Sequence, residues 1–135
     1  MAYLTNTTGY SAYGPSTAMS AGTRVSLSAT GTVQPATTGI RGIGNITADT
    51  AGPQNLTGSP IIALADVNVR LNTAPGTAIG LLTGGTTTVG DTLYAAANGY
   101  ISPTGTVIVG VNANVATIGQ TANGSLVEYI VQGEV

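Results

Sequence analysis

Five carboxylates, Asp49, Asp66, Asp91, Glu128 and Glu134, and three guanidinium groups, Arg24, Arg41 and Arg70, are the only charged side chains in this chain of 135 residues. Two carboxylates held about 5 to 10 Å apart can cleave a glycosidic bond. These five stand far apart in sequence, with Asp91 and Glu134 at segment edges. Asp66 and Arg70, four residues apart on an expected strand, would be separated by roughly 13 Å at about 3.3 Å per residue. Each acid therefore reads as a solvated charge or a turn residue. Histidine and cysteine are absent, which removes the commonest general base, the thiol nucleophile and the commonest metal ligand together. No Ser-His-Asp triad can be assembled. Asn45 with Asp49 is too sparse for a calcium loop, and the strings GIRGIG and LTGGTTTVGD carry no P-loop lysine and open no helix. The expectation is a protein that is not an enzyme, with no catalytic residues, no metal and no cofactor.

Charged residues make up 6 % of the chain, against roughly a quarter in ordinary soluble domains. A surface of Thr, Ser, Asn and Gly is wet but poorly protected against association, so it reads as a surface meant to be covered. The net charge of −2 and the pI near 4.4 argue against nucleic acid, whose binding rests on clustered Lys and Arg. Without cysteine there is no disulfide framework, and the redox compartment stays open. The start, MAYLTNTTGYSAYGP, has neither a basic beginning nor an apolar run, and no stretch reaches membrane-span length. No membrane partner is expected, and a cytoplasmic origin is the simplest inference. Sequons beginning at Asn6, Asn45, Asn55 and Asn123 arise by chance in a chain rich in Asn and Thr, and no secretion signal accompanies them.

The elements that would position these side chains are strands. In TRVSLSATGTV, residues 23–33, Val25, Leu27 and Ala29 alternate with Arg24, Ser26 and Ser28, and Gly31 makes a turn. DTLYAAANGYIS, residues 91–102, places Asn98 and Gly99 where a hairpin turn demands positive φ. The two stretches lie in one register 68 residues apart, Gly31 to Gly99: Val25 answers Leu93, Val33 answers Ile101, Pro35 answers Pro103, Ile40 answers Ile108 and Gly42 answers Gly110. An internal repeat is therefore expected over 23–50 and 91–118. GIRGIGNIT, residues 39–47, reads as a loosened apolar alternation and residues 47–60 as a loop. Residues 65–71 alternate with Asp66, Asn68 and Arg70 on a solvated face. Residues 126–132 form a closing strand, with Val127, Tyr129 and Val131 on its apolar face. With no helical run, the chain is predicted to be all-β, a compact antiparallel β-barrel or sandwich of two related hairpin-rich halves, with one continuous core.

Residues 1–22 hold Tyr3, Tyr10 and Tyr13 in a context without clear period. They read as an extended N-terminal arm before a single β-domain at 23–135. Tyr offers large amphipathic contact area at little rotamer cost, so these three tyrosines are the candidate partner-binding residues. Deleting residues 1–15 is expected to leave the barrel folded and to weaken partner binding.

The run GDTLYAAANGYISPTGTVIVGVNANVATIGQTANGSLVEYIV, residues 90–131, resembles the carboxy-terminal half of the head-decoration, or cement, proteins of tailed bacteriophages. GTRVSLSATGTVQP through GIRGIG is similar to their amino-terminal half, so that the likeness covers about residues 22–131. The resemblance implies a virion protein, made in the host cytoplasm, that binds the outer face of an assembled capsid. It would act as a homotrimer or similar homo-oligomer and brace neighbouring major capsid protein subunits. Capsid expansion would create its site. The other reading of such a β-module, with Tyr and Asn on its loops, is a head-fibre or host-surface domain that binds glycans.

Overall fold

The computed structural model describes residues 9–40, 42–54, 60–62, 66–114, 120–121 and 123–132. The fold is all-β. Two five-stranded antiparallel sheets carry it, and they are built alike. In the first sheet, β1 (Tyr10–Tyr13), β2 (Arg24–Leu27), β3 (Val33–Pro35), β4 (Gly44–Ile46) and β7 (Val67–Leu71) run in the order β1-β7-β4-β2-β3. In the second, β8 (Ala78–Leu81), β10 (Thr92–Ala95), β11 (Ile101–Ser102), β12 (Ile108–Asn112) and β14 (Leu126–Val131) run in the order β8-β14-β12-β10-β11. Two small two-stranded ladders complete the strands among the described residues, β5 (Ala51–Gln54) with β6 (Pro60–Ile62), and β9 (Thr87–Thr88) with β13 (Gln120–Thr121).

Topology and register match strand for strand. Each sheet curls until the segment after its first strand meets its last strand in one parallel bridge, Pro15 with Val33 and Leu82 with Ile101. The bridging bonds are equivalent: Ser16 N–H donates to Val33 O at 2.9 Å, and Thr83 N–H to Ile101 O at 2.8 Å. So are those at the start of β4 and β12's partners, where Gly22 N–H donates to Ile46 O at 2.9 Å and Gly90 N–H to Asn112 O at 2.8 Å. Curling shortens the open edges that would otherwise template further pairing. The repeat thus extends well beyond the two hairpins visible in the sequence.

The hairpins form as their turn residues dictate. Asn98 (φ 60°, ψ 30°) and Gly99 (φ 77°) both take the left-handed conformation, and Tyr100 N–H closes the turn on Ala97 O at 3.2 Å. This is the geometry that Asn-Gly favours. β10 and β11 then pair through Tyr94 with Ser102 and Ala95 with Ile101. In the first repeat Gly31 (φ 83°) does the same work, and β2 pairs with β3 through Val25 with Pro35 and Leu27 with Val33.

Apolar residues alternate inward and build two buried clusters, one inside each sheet, where one continuous core was expected. Met19, Val25, Val33, Ile46, Val67 and Val69 form the first, with Tyr13, Ile43 and Leu71 packed against it. Leu82, Leu93, Ile101, Val109, Val127 and Tyr129 dominate the second. The closing strand buries Val127 and Tyr129 as its alternation predicts. With no Phe or Trp in the chain, burial at about 1.5–3 kcal/mol per large aliphatic side chain is spread over many small contributions.

The structure corrects four further expectations. Residues 10–13 are not part of a free arm: β1 pairs with β7 from Tyr10 opposite Arg70 to Tyr13 opposite Val67. The segment behind it is stitched down where Thr50 Oγ1 accepts from Met19 N–H at 2.7 Å and Asp49 Oδ1 accepts from Ala21 N–H at 2.7 Å. Residues 51–54, read as loop, form β5. Arg70 is buried, not solvated, because its guanidinium turns onto the connection between the repeats and donates to Ala74 O at 2.8 Å and Gly76 O at 3.0 Å. The repeat's own register also shifts: the strand partner of Leu93 is Gly110 and that of Val25 is Gly44, so Gly110 answers Gly44 and not Gly42. A Cβ at either glycine would strike the carbonyl of the neighbouring strand, Arg70 O or Ile130 O.

Candidate interaction surface

Alternation places polar side chains on the outer face of the first sheet, and there the two repeats meet. Arg24, Asn45 and Arg70 lie side by side across β2, β4 and β7. Asn45 is buried, and its amide is fully employed. Nδ2 donates to Ile79 O at 2.9 Å and to Gly22 O at 3.3 Å, while Oδ1 accepts from the Tyr129 hydroxyl at 3.1 Å. Two carbonyl partners can only accept, which fixes the orientation of the amide. Arg24 is fully buried and donates from Nη2 to Ile40 O at 3.2 Å. Farther along the seam, Gly99 N–H donates to Ala36 O at 2.6 Å.

Two clefts flank this seam. One, of about 310 Å³, has Tyr10, Ile79 and Leu126 as apolar walls over a polar floor that includes Asn45 and Thr77. The other, of about 260 Å³, is lined by Met19, Pro35 and Tyr100 together with Ser20, Thr23 and Asn98. Tyr100 is 39 % exposed and Tyr10 46 %. Further large apolar side chains stand in solvent on the second sheet, among them Ile79, Ile108, Leu126 and Ile130. Four carboxylates lie among the described residues. Asp49 and Asp91 accept bonds from the backbone, and Glu128 accepts from Thr77 Oγ1 at 2.6 Å. Asp91 Oδ2 accepts from Thr88 N–H at 2.9 Å and from the hydroxyls of Thr88 and Thr87, at 3.0 and 3.3 Å, which holds its carboxyl below the usual value for aspartate. Asp66 stands exposed before β7. Among the described residues no three potential metal ligands come together, and no helix is long and apolar enough to cross a membrane.

The three candidate tyrosines do not act as a unit. Tyr3 lies outside the described residues. Tyr10 faces out at the rim of the larger cleft, whereas Tyr13, three residues on and therefore on the opposite face of β1, packs against the first core cluster. Tyr13 is half-buried against the core. Sequence reasoning missed Asn45, Tyr129 and Ile79 as seam residues. Nothing in the local pattern marks Asn45, and only its place opposite Arg24 in a folded sheet brings it to the second repeat.

No protein-family model and no curated protein matches this chain.

Proposed function

We propose that the chain is a capsid decoration protein, which binds the outer surface of a phage head and stabilises contacts between neighbouring major capsid subunits. The observation that carries this reading is the pairing of a nearly uncharged surface with large apolar side chains left in solvent. Tyr10, Ile79, Ile108, Leu126 and Ile130 each expose 43 to 47 or, for Leu126, 51 % of their surface, on a chain that is 6 % charged. Small monomers expose such residues singly, and clusters of them mark sites where area is buried between proteins. The likeness of residues 90–131 to cement proteins supports the same reading. Tyr10, beside Ile79 and Leu126, is the contact residue retained from the three tyrosines in the described part, with Tyr3 as a second contact from the segment before Gly9. Binding only the expanded shell would stabilise that state by mass action.

Co-sedimentation of the purified protein with expanded capsids that lack it, followed by heating of decorated and bare shells side by side, tests the proposal. Saturable binding with a raised disruption temperature is the expected result. Absence of binding to both expanded and unexpanded shells would refute it. The smaller cleft favours a second reading as a glycan-binding module, since an exposed Tyr100 ring beside the Asn98 amide can stack on a sugar and bond its hydroxyls. Glycan-array binding without capsid affinity would select that reading.

A further inference from the structure

The two repeats share one topology but not one environment. Arg24, Asn45 and Arg70 form a row across the outer face of the first sheet, and all three are buried, at 0, 3 and 6 % exposure. The second repeat and the connection leading to it cover them, through the bonds of Asn45 to Ile79 O and to the Tyr129 hydroxyl and those of Arg70 to Ala74 O and Gly76 O. The equivalent row of the second sheet is Thr92, Val111 and Ile130, paired in the same order across β10, β12 and β14. This row is open: Ile130 is 47 % exposed, Thr92 and Val111 are half-buried, and Leu126, two positions from Glu128 on the same face as Ile130, is 51 % exposed. One face of the fold is thus used inside the chain, and its duplicate is left uncovered.

The converse holds for the elements that do the covering. The Asn-Gly tip of the second repeat, Ala97–Gly99, presses on the first so closely that a Cβ on Gly99 would run into Thr23 Cγ2 and the Arg24 carbonyl oxygen. Its duplicate, the tip at 28–32, stands clear at its apex: residues 29–31 are exposed, and a Cβ on Gly31 would meet no atom within 4 Å among the described residues. Each molecule therefore carries an unused socket on its second repeat and an unused plug on its first. Stacked repeats bury continuous surface by covering each neighbour in turn, and an end repeat that is not capped with polar residues exposes the face its neighbour would have covered.

We propose that a second copy of this chain supplies the missing neighbour, its 28–32 tip and β1 docking on the outer face formed by Thr92, Val111 and Ile130. The contact is head-to-tail, so it leaves a free socket and a free plug after each addition and closes into a ring or extends as a row. The chemistry of the duplicate row fits. Where the internal seam holds buried arginines that donate to carbonyls of their own chain, the open row is Thr, Val and Ile, which two separately made subunits can bury without stranding a charge. Ile130 and Ile108 contribute roughly 90 Å² each at about half exposure of a large side chain, about a quarter of the ~800 Å² per partner of a standard interface, and the tip and the rim supply the rest. This inference does not depend on the capsid reading, because it concerns the isolated protein.

Sedimentation velocity of the full chain over a range of concentrations, with no capsid present, tests it. The wild type is expected to form species at multiples of the 13.2 kDa chain mass. Ile130→Arg spoils the socket and Thr30→Arg spoils the plug, and each variant alone is expected to sediment as a monomer. Mixed together, they are expected to form one-to-one dimers and nothing larger, because one retains the plug and the other the socket. Thr92→Arg, in the same row, serves as a second socket variant if circular dichroism shows that Ile130→Arg has lost its strands. A wild type that stays monomeric at every concentration overturns the proposal, as does assembly by Thr30→Arg alone, which would mean socket against socket, or failure of the mixture to pair.

Discussion

The phenol of Tyr129 and the side-chain amide of Asn45, 84 residues apart in the chain, share a hydrogen bond of 3.1 Å that joins the core of the second repeat to the outer face of the first. Both residues are buried, at 1 and 3 % exposure. A bond of this kind contributes about 1 kcal/mol net, and a buried partner left without it costs about 1–3 kcal/mol. Tyr129→Phe keeps the ring in the second cluster and should lower stability by about 1–2 kcal/mol. Asn45→Ala also strands Ile79 O, and should cost about 3 kcal/mol. Denaturant unfolding of both variants and of the double variant checks this, with a coupling near 1 kcal/mol expected. Additive effects would mean that the two side chains do not hold the repeats together.

Gly99 and Gly31 form a matched pair that isolates the contribution of the seam. Both have positive φ, 77° and 83°, so alanine at either meets a left-handed backbone penalty of about 1–2 kcal/mol. Only at Gly99 does the new Cβ also collide with Thr23 and the Arg24 backbone, whereas space around Gly31 is open. Gly99→Ala should therefore be worse than Gly31→Ala by at least about 2 kcal/mol, in the range of an overpacked core site. Thermal unfolding of the two variants in parallel reads the difference. Equal losses would show that the seam yields to an extra methyl group.

How far the sequence discloses this fold follows from where its repeats keep one spacing. The hairpins 24–35 and 92–103 lie at a constant separation, so Val25 with Leu93 and Val33 with Ile101 are visible as a repeat and occupy equivalent places. The next strand breaks that spacing, since Gly110 answers Gly44, and alignment by a single offset fails from there on. β1 and β8 are equivalent in topology but share no pattern, because YSAY and AIGL are four-residue strands too short to show a period. Tyr13 was legible as an aromatic but not as a residue packed against the core, since its burial depends on pairing with Val67, far along the chain. The seam was invisible for the same reason: Asn45 and Arg70 carry the residue types of a solvated strand face, and only the second repeat and its connection bury them.

Truncation separates an arm from a strand. Removing residues 1–8 leaves β1 whole and should leave the first repeat cooperatively folded. Removing 1–15 takes away β1, the Tyr13 ring from the first cluster and the Gly14 carbonyl that accepts from Val33 N–H at 2.9 Å. It also exposes β7 as a bare edge. The longer deletion should abolish cooperative folding of the first repeat, seen as lost amide protection in β2, β4 and β7. A folded 1–15 deletion would return Tyr10 and Tyr13 to the status of an arm. Capsid occupancy of the 1–8 deletion then tests the contact proposed for Tyr3.

Acid should loosen one turn before the rest of the second repeat. Asp91 receives three bonds from residues 87–88 at the start of its turn, from the Thr88 N–H and the hydroxyls of Thr88 and Thr87, and these hold its pKa below the ordinary aspartate value. A carboxylate whose pKa is lower in the folded than in the unfolded state adds stability that is fully present above the unfolded value of about 3.9 and is lost as pH falls through the folded one. The turn also carries Gly90, whose N–H donates to Asn112 O at 2.8 Å at the end of β12, so its loss should propagate to that strand. The amide resonances of Thr88 and Gly90 should titrate with Asp91 and lose exchange protection in the window below about pH 4. In Asp91→Asn the same amides should show no titration there, at somewhat lower protection throughout. Identical acid profiles for the two proteins would show that the Asp91 bonds do not stabilise the turn.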